Sequence, residues 1–230
     1  VVNPASAMAT PNMERLGKDG MTFTQAFVAS PSCAPSRGAL LTGMQPVRNG
    51  AMFNHTIPRP ELKKWPEYFR ELGYEIAAIG KVAHYATVRS YGFDHFSHFK
   101  YHEDDCIDAA TKWVTERKST KPLCLIVGTN WPHVPWPKDA GDGGSLPLAP
   151  RLVDTPETRA AWAAYGAAVR NADRDLGIIY DTTRRVLGDD TLFVFTSDHG
   201  SQFPFGKWNC YDAGLRTPLV AVWPGKITPN

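Results

Sequence analysis

Cys33, Pro35, Ser36 and Arg37 stand together in the run Ser30-Pro-Ser-Cys-Ala-Pro-Ser-Arg-Gly-Ala-Leu-Leu-Thr-Gly43, and their types and spacing suit the handling of an anion. A proline two residues after the cysteine fits the first turn of a helix, where its missing N–H leaves no hydrogen bond unmade. Gly38-Ala-Leu-Leu continues the helical pattern. Cys33 is therefore expected at a helix N-terminus, where unpaired backbone N–H groups and the positive end of the helix dipole favour negative charge. Arg37 adds a permanent cation one turn further in. The chemistry these residues favour is that of an oxyanion.

Further polar residues follow apolar runs that read as buried strands. Tyr74 to Gly80 leads into Lys81 and His84; Leu123 to Thr129 leads into Asn130-Trp-Pro-His-Val-Pro-Trp-Pro137 with His133; Thr191 to Thr196 leads into Ser197-Asp198-His199-Gly200, with Lys207 and Asn209 shortly after. In parallel α/β sheets ligands gather beyond the carboxyl ends of strands, so a lysine, an imidazole and a carboxylate in these places can meet a bound anion or a cation. Each alone has a plainer reading: an exposed lysine, a capping histidine, polar trim on a loop, a strand-ending Asx turn. His95, His98 and His102 do not read first as a metal site, because their spacing matches no two-ligand helix motif and the segment is rich in aromatics.

The elements that must position these groups can be read from punctuation and period. Thr10-Pro11-Asn-Met-Glu14-Arg-Leu16 opens like a helix, with a capping threonine and proline at the first position, and stops near Gly17 and Gly20. Met21 to Val28 reads as a short extended segment. Val47 to Pro60, which holds Asn54 and His55, reads as a solvated loop. Trp65 to Leu72, Glu103 to Lys118 and Pro156 to Leu187 carry helical patterns, and in the last of these the Ala-rich spacing around Gly166 and Gly177 suggests close packing on the sheet. Leu219 to Trp223 is a further strand. Residues 138 to 155 form a long connection of the kind that binds substrates.

Composition narrows the class. With 230 residues, 43% hydrophobic and 21% charged, the chain suits one α/β domain. A net charge of +2 with no basic run leaves no electrostatic footprint for nucleic acid, and no apolar run reaches membrane-spanning length. Four cysteines, at 33, 106, 124 and 210, show no CxxC pair and imply neither a zinc ribbon nor a disulfide framework. Cys124 reads as a small buried hydrophobe.

The motifs resemble those of the type I sulfatases, within the alkaline phosphatase-like superfamily. Cys-x-Pro-Ser-Arg followed by Leu-Thr-Gly, Gly-Lys-x-x-His, Pro-His-x-Pro and Asp-His-Gly occur in that family's order, and Phe203-Pro-Phe-Gly-Lys207-Trp-Asn209-Cys-Tyr211 is most similar to the heparan N-sulfatase branch. The resemblance implies a mostly parallel central sheet flanked by helices on both faces. It implies that a formylglycine-generating enzyme converts Cys33 to formylglycine, that Asp198, His199 and residue 33 hold a divalent metal, most simply Ca²⁺, and that Arg37, Lys81 and Lys207 stabilise the sulfuryl group. His133 with Lys207 would protonate the leaving group, His84 would act as base in releasing sulfate, and Lys81, His133, Lys207 and Asn209 would contact a sulfated carbohydrate. A periplasmic, secreted or lysosomal setting goes with the family.

Two departures accompany the resemblance. The family carries an Asp-Asp pair at the end of its first strand, ahead of the Thr-Pro-Asn helix, and nothing before Thr10 supplies it; the family's C-terminal subdomain, a small antiparallel sheet, does not follow Asn230. Residues 1–230 thus read as a partial catalytic domain, an internal piece of a longer enzyme whose first strand is missing. A phosphonate or phosphate ester hydrolase of the same superfamily, and a non-catalytic glycan-binding relative, stay open as alternatives.

Overall fold

The computed structural model describes residues 8–140 and 146–230. The first helix, α1 (Pro11–Asp19), starts on its proline and buries Leu16 completely. The expected cap does not form: the Thr10 side chain makes no capping bond. The Asp173 carboxylate, brought in from far along the chain, accepts the backbone N–H groups of Asn12 and Met13 at 3.2 and 2.8 Å. After β1 (Met21–Thr22) comes α2 (Cys33–Thr42), which ends at Gly43 with φ 66. A one-turn helix, α3 (Pro46–Asn49), stands where a loop is expected. Its reason is Asn49, fully buried, whose side chain donates to Thr42 and Met44 and accepts from the Ala51 N–H.

The middle of the chain supplies α4 (Trp65–Glu71), β2 (Glu75–Gly80), a 3₁₀ helix (Tyr85–Ser90), β3 (His95–Ser97), α5 (Cys106–Glu116) and β4 (Leu123–Gly128). The remainder adds α6 (Pro156–Leu187), β5 (Phe193–Thr196), α7 (Asp212–Leu215) and β6 (Leu219–Val222). The short β3 is not evident from sequence, since an aromatic, histidine-rich stretch has no clear strand period. The connection expected over 138 to 155 includes residues 141–145, which lie outside the described residues, as does most of the segment before α1.

The α/β expectation holds. The strands form two sheets of three: β3-β2-β4, entirely parallel, and β1-β6-β5, antiparallel. In the parallel sheet Glu75 to Gly80 runs in register with Leu123 to Gly128. Helices cover both of its faces, as strand alternation requires. Ile76, Ala78, Cys124 and Ile126 face Trp65 and Phe69 of α4, whereas Ile79, Leu125 and Val127 face Cys106, Ile107 and Ala110 of α5. The long α6 ties the sheets together: Leu176 and Tyr180 pack on Val220 and Val222 of β6, and Ile179 packs with Ile79 and α5. A Cβ on Gly177 would sit 2.4 Å from Asn12 Oδ1, so the close packing at this glycine is against α1 and not, as expected, on the sheet. Among the described residues no strand joins β4 to β5, and no helix is long and apolar enough to cross a membrane.

Candidate active site

Position 33 opens α2 and is almost wholly buried. The preceding Ser32 leaves the helix uncapped by its own side chain. Asn54 fills that role: its Oδ1 accepts the Ser32 hydroxyl at 2.7 Å and the Ala34 N–H at 3.2 Å. This is the same solution as at α1, a cap supplied from elsewhere in the chain. The Cys33 Sγ lies 3.1 Å from His199 Nε2. His199 Nδ1 donates to the Gly200 carbonyl at 2.7 Å, which leaves Nε2 facing the sulfur. Burial pushes the Cys33 thiol up, but hydrogen bonds with His133 and His199, with help from the Lys81 charge, win and lower it to about 5. The fold thus stabilises negative charge at this position.

Arg37, one turn along α2, reaches across to β5's end. Its Nε donates to Asp198 Oδ2 at 2.8 Å, and its Nη1 donates to the carbonyl of Val82 at 3.0 Å and to that of Lys81. Burial alone would raise the Asp198 carboxyl; the charges of Arg37, His199 and Lys81 hold it well below the usual carboxylate range. His199 is the reverse case, with burial lowering it and the Cys33 contact and Asp198 charge raising it overall.

Lys81 and His84 follow the tight turn at the end of β2. Gly80 has φ 82, and a Cβ there would lie 2.2 Å from the Gly128 carbonyl oxygen, so only glycine fits. Both side chains beyond it are buried, which excludes the plainer reading of an exposed lysine. Burial and the neighbouring Arg37 lower Lys81 to about 8. Burial, then His55 and Lys81, lower His84 to about 4. His84 is consequently neutral at pH 7 and able to accept a proton.

His133 and Lys207 meet from two loops, with Lys207 Nζ 3.4 Å from His133 Nε2. The Val134 carbonyl sets the ring: it accepts His133 Nδ1–H at 2.7 Å, and it also accepts His102 at 2.9 Å and the Tyr101 hydroxyl. Lys207 is buried, and its loop is tied to the Cys33 segment by the Trp208 N–H, which donates to Pro31 O at 2.8 Å. Asn209 is placed differently. It is exposed and donates back to the Lys207 carbonyl at 3.2 Å, so it shapes its own turn.

Cys33, Asp198 and His199 place one ligand atom each within 4.8 Å of one another, and no other such group exists among the described residues. His95 instead stacks on Trp113, His98 faces Asp105, and His102 faces Asp104 and Val134. Against a hard cation such as Ca²⁺, which takes six to eight oxygens, this set falls short. It offers one carboxylate, already engaged by Arg37, with an imidazole and a sulfur. The described residues form at most one corner of a calcium site.

Eight of the nine sequence-expected residues therefore converge: Arg37, Lys81, His84, His133, Asp198, His199 and Lys207 gather around Cys33 at a helix start, with Arg37, Lys81 and Lys207 supplying positive charge. The family model described as Sulfatase matches residues 2–230. The chain belongs to the sulfatase family. It is 32% identical over 234 residues to an ulvan-active sulfatase of Formosa agariphila, an alignment covering 96% of this chain and 45% of that protein. It is 28% identical over 263 residues to human N-sulphoglucosamine sulphohydrolase, covering 95% and 51%. This sulfatase-family chain thus spans about half the length of the curated relatives it matches. A structure solved in work on glycosaminoglycan metabolism by Bacteroides thetaiotaomicron shares its fold with a TM-score of 0.82, at 24% identity, over 98% of this chain and 62% of that one. A phosphonate monoester hydrolase of Agrobacterium radiobacter shares the fold at 0.76 and 19% identity, over 96% and 64%.

Sequence reading missed Asn54, taken for part of a solvated loop, and the Tyr101 and His102 contacts to Val134. The one available signal was the polar Asn54-His55 pair standing in an otherwise ordinary loop.

Proposed function

We propose that the full-length protein removes sulfate from a sulfated saccharide, as an O-sulfate ester or an N-sulfate, with residue 33 as the site of the nucleophile. The observation that carries this reading is the arrangement of Arg37, Lys81, His133 and Lys207 around Cys33 in a chain of the sulfatase family. Charge builds on the sulfuryl oxygens and on the departing atom together, and fixed cations in a dry site stabilise both. Arg37 and Lys81 serve the sulfuryl group. Lys207 and His133 would protonate the leaving atom, a role supported by their 3.4 Å contact and by the Val134 carbonyl that orients His133. His84, neutral at pH 7, is the base that takes a proton when sulfate is released. Formylglycine at position 33, made by a formylglycine-generating enzyme, would supply an oxygen nucleophile. A divalent cation, Ca²⁺ by family resemblance, would draw on Asp198, His199 and residue 33, and on further donors beyond them.

The relatives suggest the substrates to try. Full-length protein, co-expressed with a formylglycine-generating enzyme, is assayed for sulfate release from ulvan oligosaccharides, N-sulfoglucosamine and N-acetylgalactosamine 6-sulfate, alongside aryl sulfate and aryl phosphate. Sulfate release from at least one saccharide, with the residue-33 peptide carrying formylglycine by mass spectrometry, is expected. Faster turnover of aryl phosphate than of any sulfate favours the phosphonate or phosphate ester reading, and absence of turnover in converted protein favours a non-catalytic glycan binder.

A further inference from the structure

Trp208 lies directly after the active-site lysine, yet it is 60% exposed and held at φ 69, a left-handed conformation unusual for a bulky side chain. Phe205, three residues earlier, repeats the pattern with φ 64 and 48% exposure. Phe205 packs edge-on against Tyr211, with ring centroids 5.2 Å apart, whereas the Trp208 indole makes no aromatic ring contact among the described residues and stays turned to solvent beside the buried Lys207. The Trp208 N–H bond to Pro31 O fixes the indole's backbone to the segment that delivers Cys33. Lys207 Nζ sits 4.9 Å from the Trp208 ring centroid. Phe203, Lys207, Trp208 and Asn209 line a cavity of about 250 Å³. That is just under the ~300 Å³ at which small-molecule pockets begin. The neighbouring cavity, about 470 Å³, shares the Phe203–Pro204 wall and is bordered by Arg151 and Phe205. Arg151 is anchored there by donating to Pro204 O at 3.2 Å and to Ser201 Oγ at 3.3 Å.

We infer that Trp208 is the stacking platform for the pyranose ring of the sulfated saccharide, and so a specificity-determining residue of this site. The inference rests on the sulfated-saccharide reading above. Lys207 Nζ lies over one face of the indole; a pyranose presents an apolar face of C–H groups that suits the other, while its charged substituent reaches Lys207 past the edge of the ring. An inorganic anion uses the second feature and not the first. This separates the platform from the anion site.

The test uses full-length protein, Trp208→Ala and Trp208→Phe, with the three saccharides named above and inorganic sulfate. With the saccharide that is turned over, Trp208→Ala raises KM about tenfold or more, equivalent to one decade of affinity; Trp208→Phe recovers most of the loss, and inhibition by inorganic sulfate stays within about threefold of wild type. Saturation-transfer NMR on the Cys33→Ala background, where turnover is blocked, shows transfer to pyranose ring protons that Trp208→Ala abolishes. An unchanged KM in Trp208→Ala, or no transfer to any of the three saccharides, overturns the platform while leaving sulfate release intact. Transfer that depends on Trp208 in a protein that releases no sulfate leaves the platform standing and removes the sulfatase reading.

Discussion

Arg37 and Asp198, 161 positions apart, are joined from Nε to Oδ2 at 2.8 Å, with both side chains mostly buried. The pair ties the first turns of the Cys33 helix to the end of β5, and the same guanidinium holds the turn after β2 through two carbonyls. Breaking it removes the shortest partner of a buried carboxylate and leaves it His199, 3.7 Å away, and the Lys81 charge. Arg37→Ala is expected to cost about 3 kcal/mol of stability at pH 7. The sign of its pH dependence follows from Asp198, whose folded carboxyl is held below the ordinary value of 3.8. The pair's contribution is full above that value and fades as pH falls through the folded one. Urea denaturation of wild type and Arg37→Ala should therefore show a gap that narrows below pH 4; a gap that widens there contradicts the ion pair.

Unconverted Cys33 should be a thiolate at neutral pH. Difference absorbance at 240 nm between wild type and Cys33→Ser, in protein made without a formylglycine-generating enzyme, is expected to titrate near pH 5. Burial pushes Cys106 up to about 12 and Cys124 to about 11, so neither contributes in that window. A transition above pH 8 assigned to Cys33 argues against the histidine contacts.

The alkaline side of the activity profile should follow Lys81. Its ammonium is lowered to about 8, so kcat/KM for a sulfated saccharide is expected to fall as pH rises through that value. Lys81→Arg, always protonated, should move this limb upward even where it lowers the maximum. His84, near 4, places no limb between pH 5 and 7. An alkaline limb that Lys81→Arg leaves in place assigns it to another group.

The contact between Lys207 and His133 gives an activity ranking. Lys207→Ala and His133→Ala should each lower turnover of a poor leaving group by about 100-fold or more, the usual scale of lost general-acid catalysis. His98→Ala, whose imidazole faces Asp105 at 3.6 Å, should change it little. Equal losses across the three variants would sink the site assignment.

Asn54 acts on the Cys33 helix from outside it. Asn54→Ala removes the only side-chain acceptor that the Ser32 hydroxyl and Ala34 N–H have among the described residues, and should cost about 1 kcal/mol. Asn54→Asp keeps an acceptor and should retain most stability in the same denaturant titration. If both variants are silent, the cap has no energetic weight.

The sequence alone determined local events and their order. Pro35 and Gly43 set the start and stop of α2, and the apolar runs set β2, β4 and β6, because each depends on backbone preferences within a few residues. Motif order identified the family. What tertiary structure decided was everything that sums over distance. The caps of α1 and α2 come from Asp173 and Asn54, not from Thr10 and Ser32, since a polar side chain satisfies whichever N–H the fold brings to it. The split into a parallel and an antiparallel sheet depends on pairings between distant strands, and the lowering of both Cys33 and His84 arises from burial, hydrogen bonds and charges contributed by segments far apart in the chain.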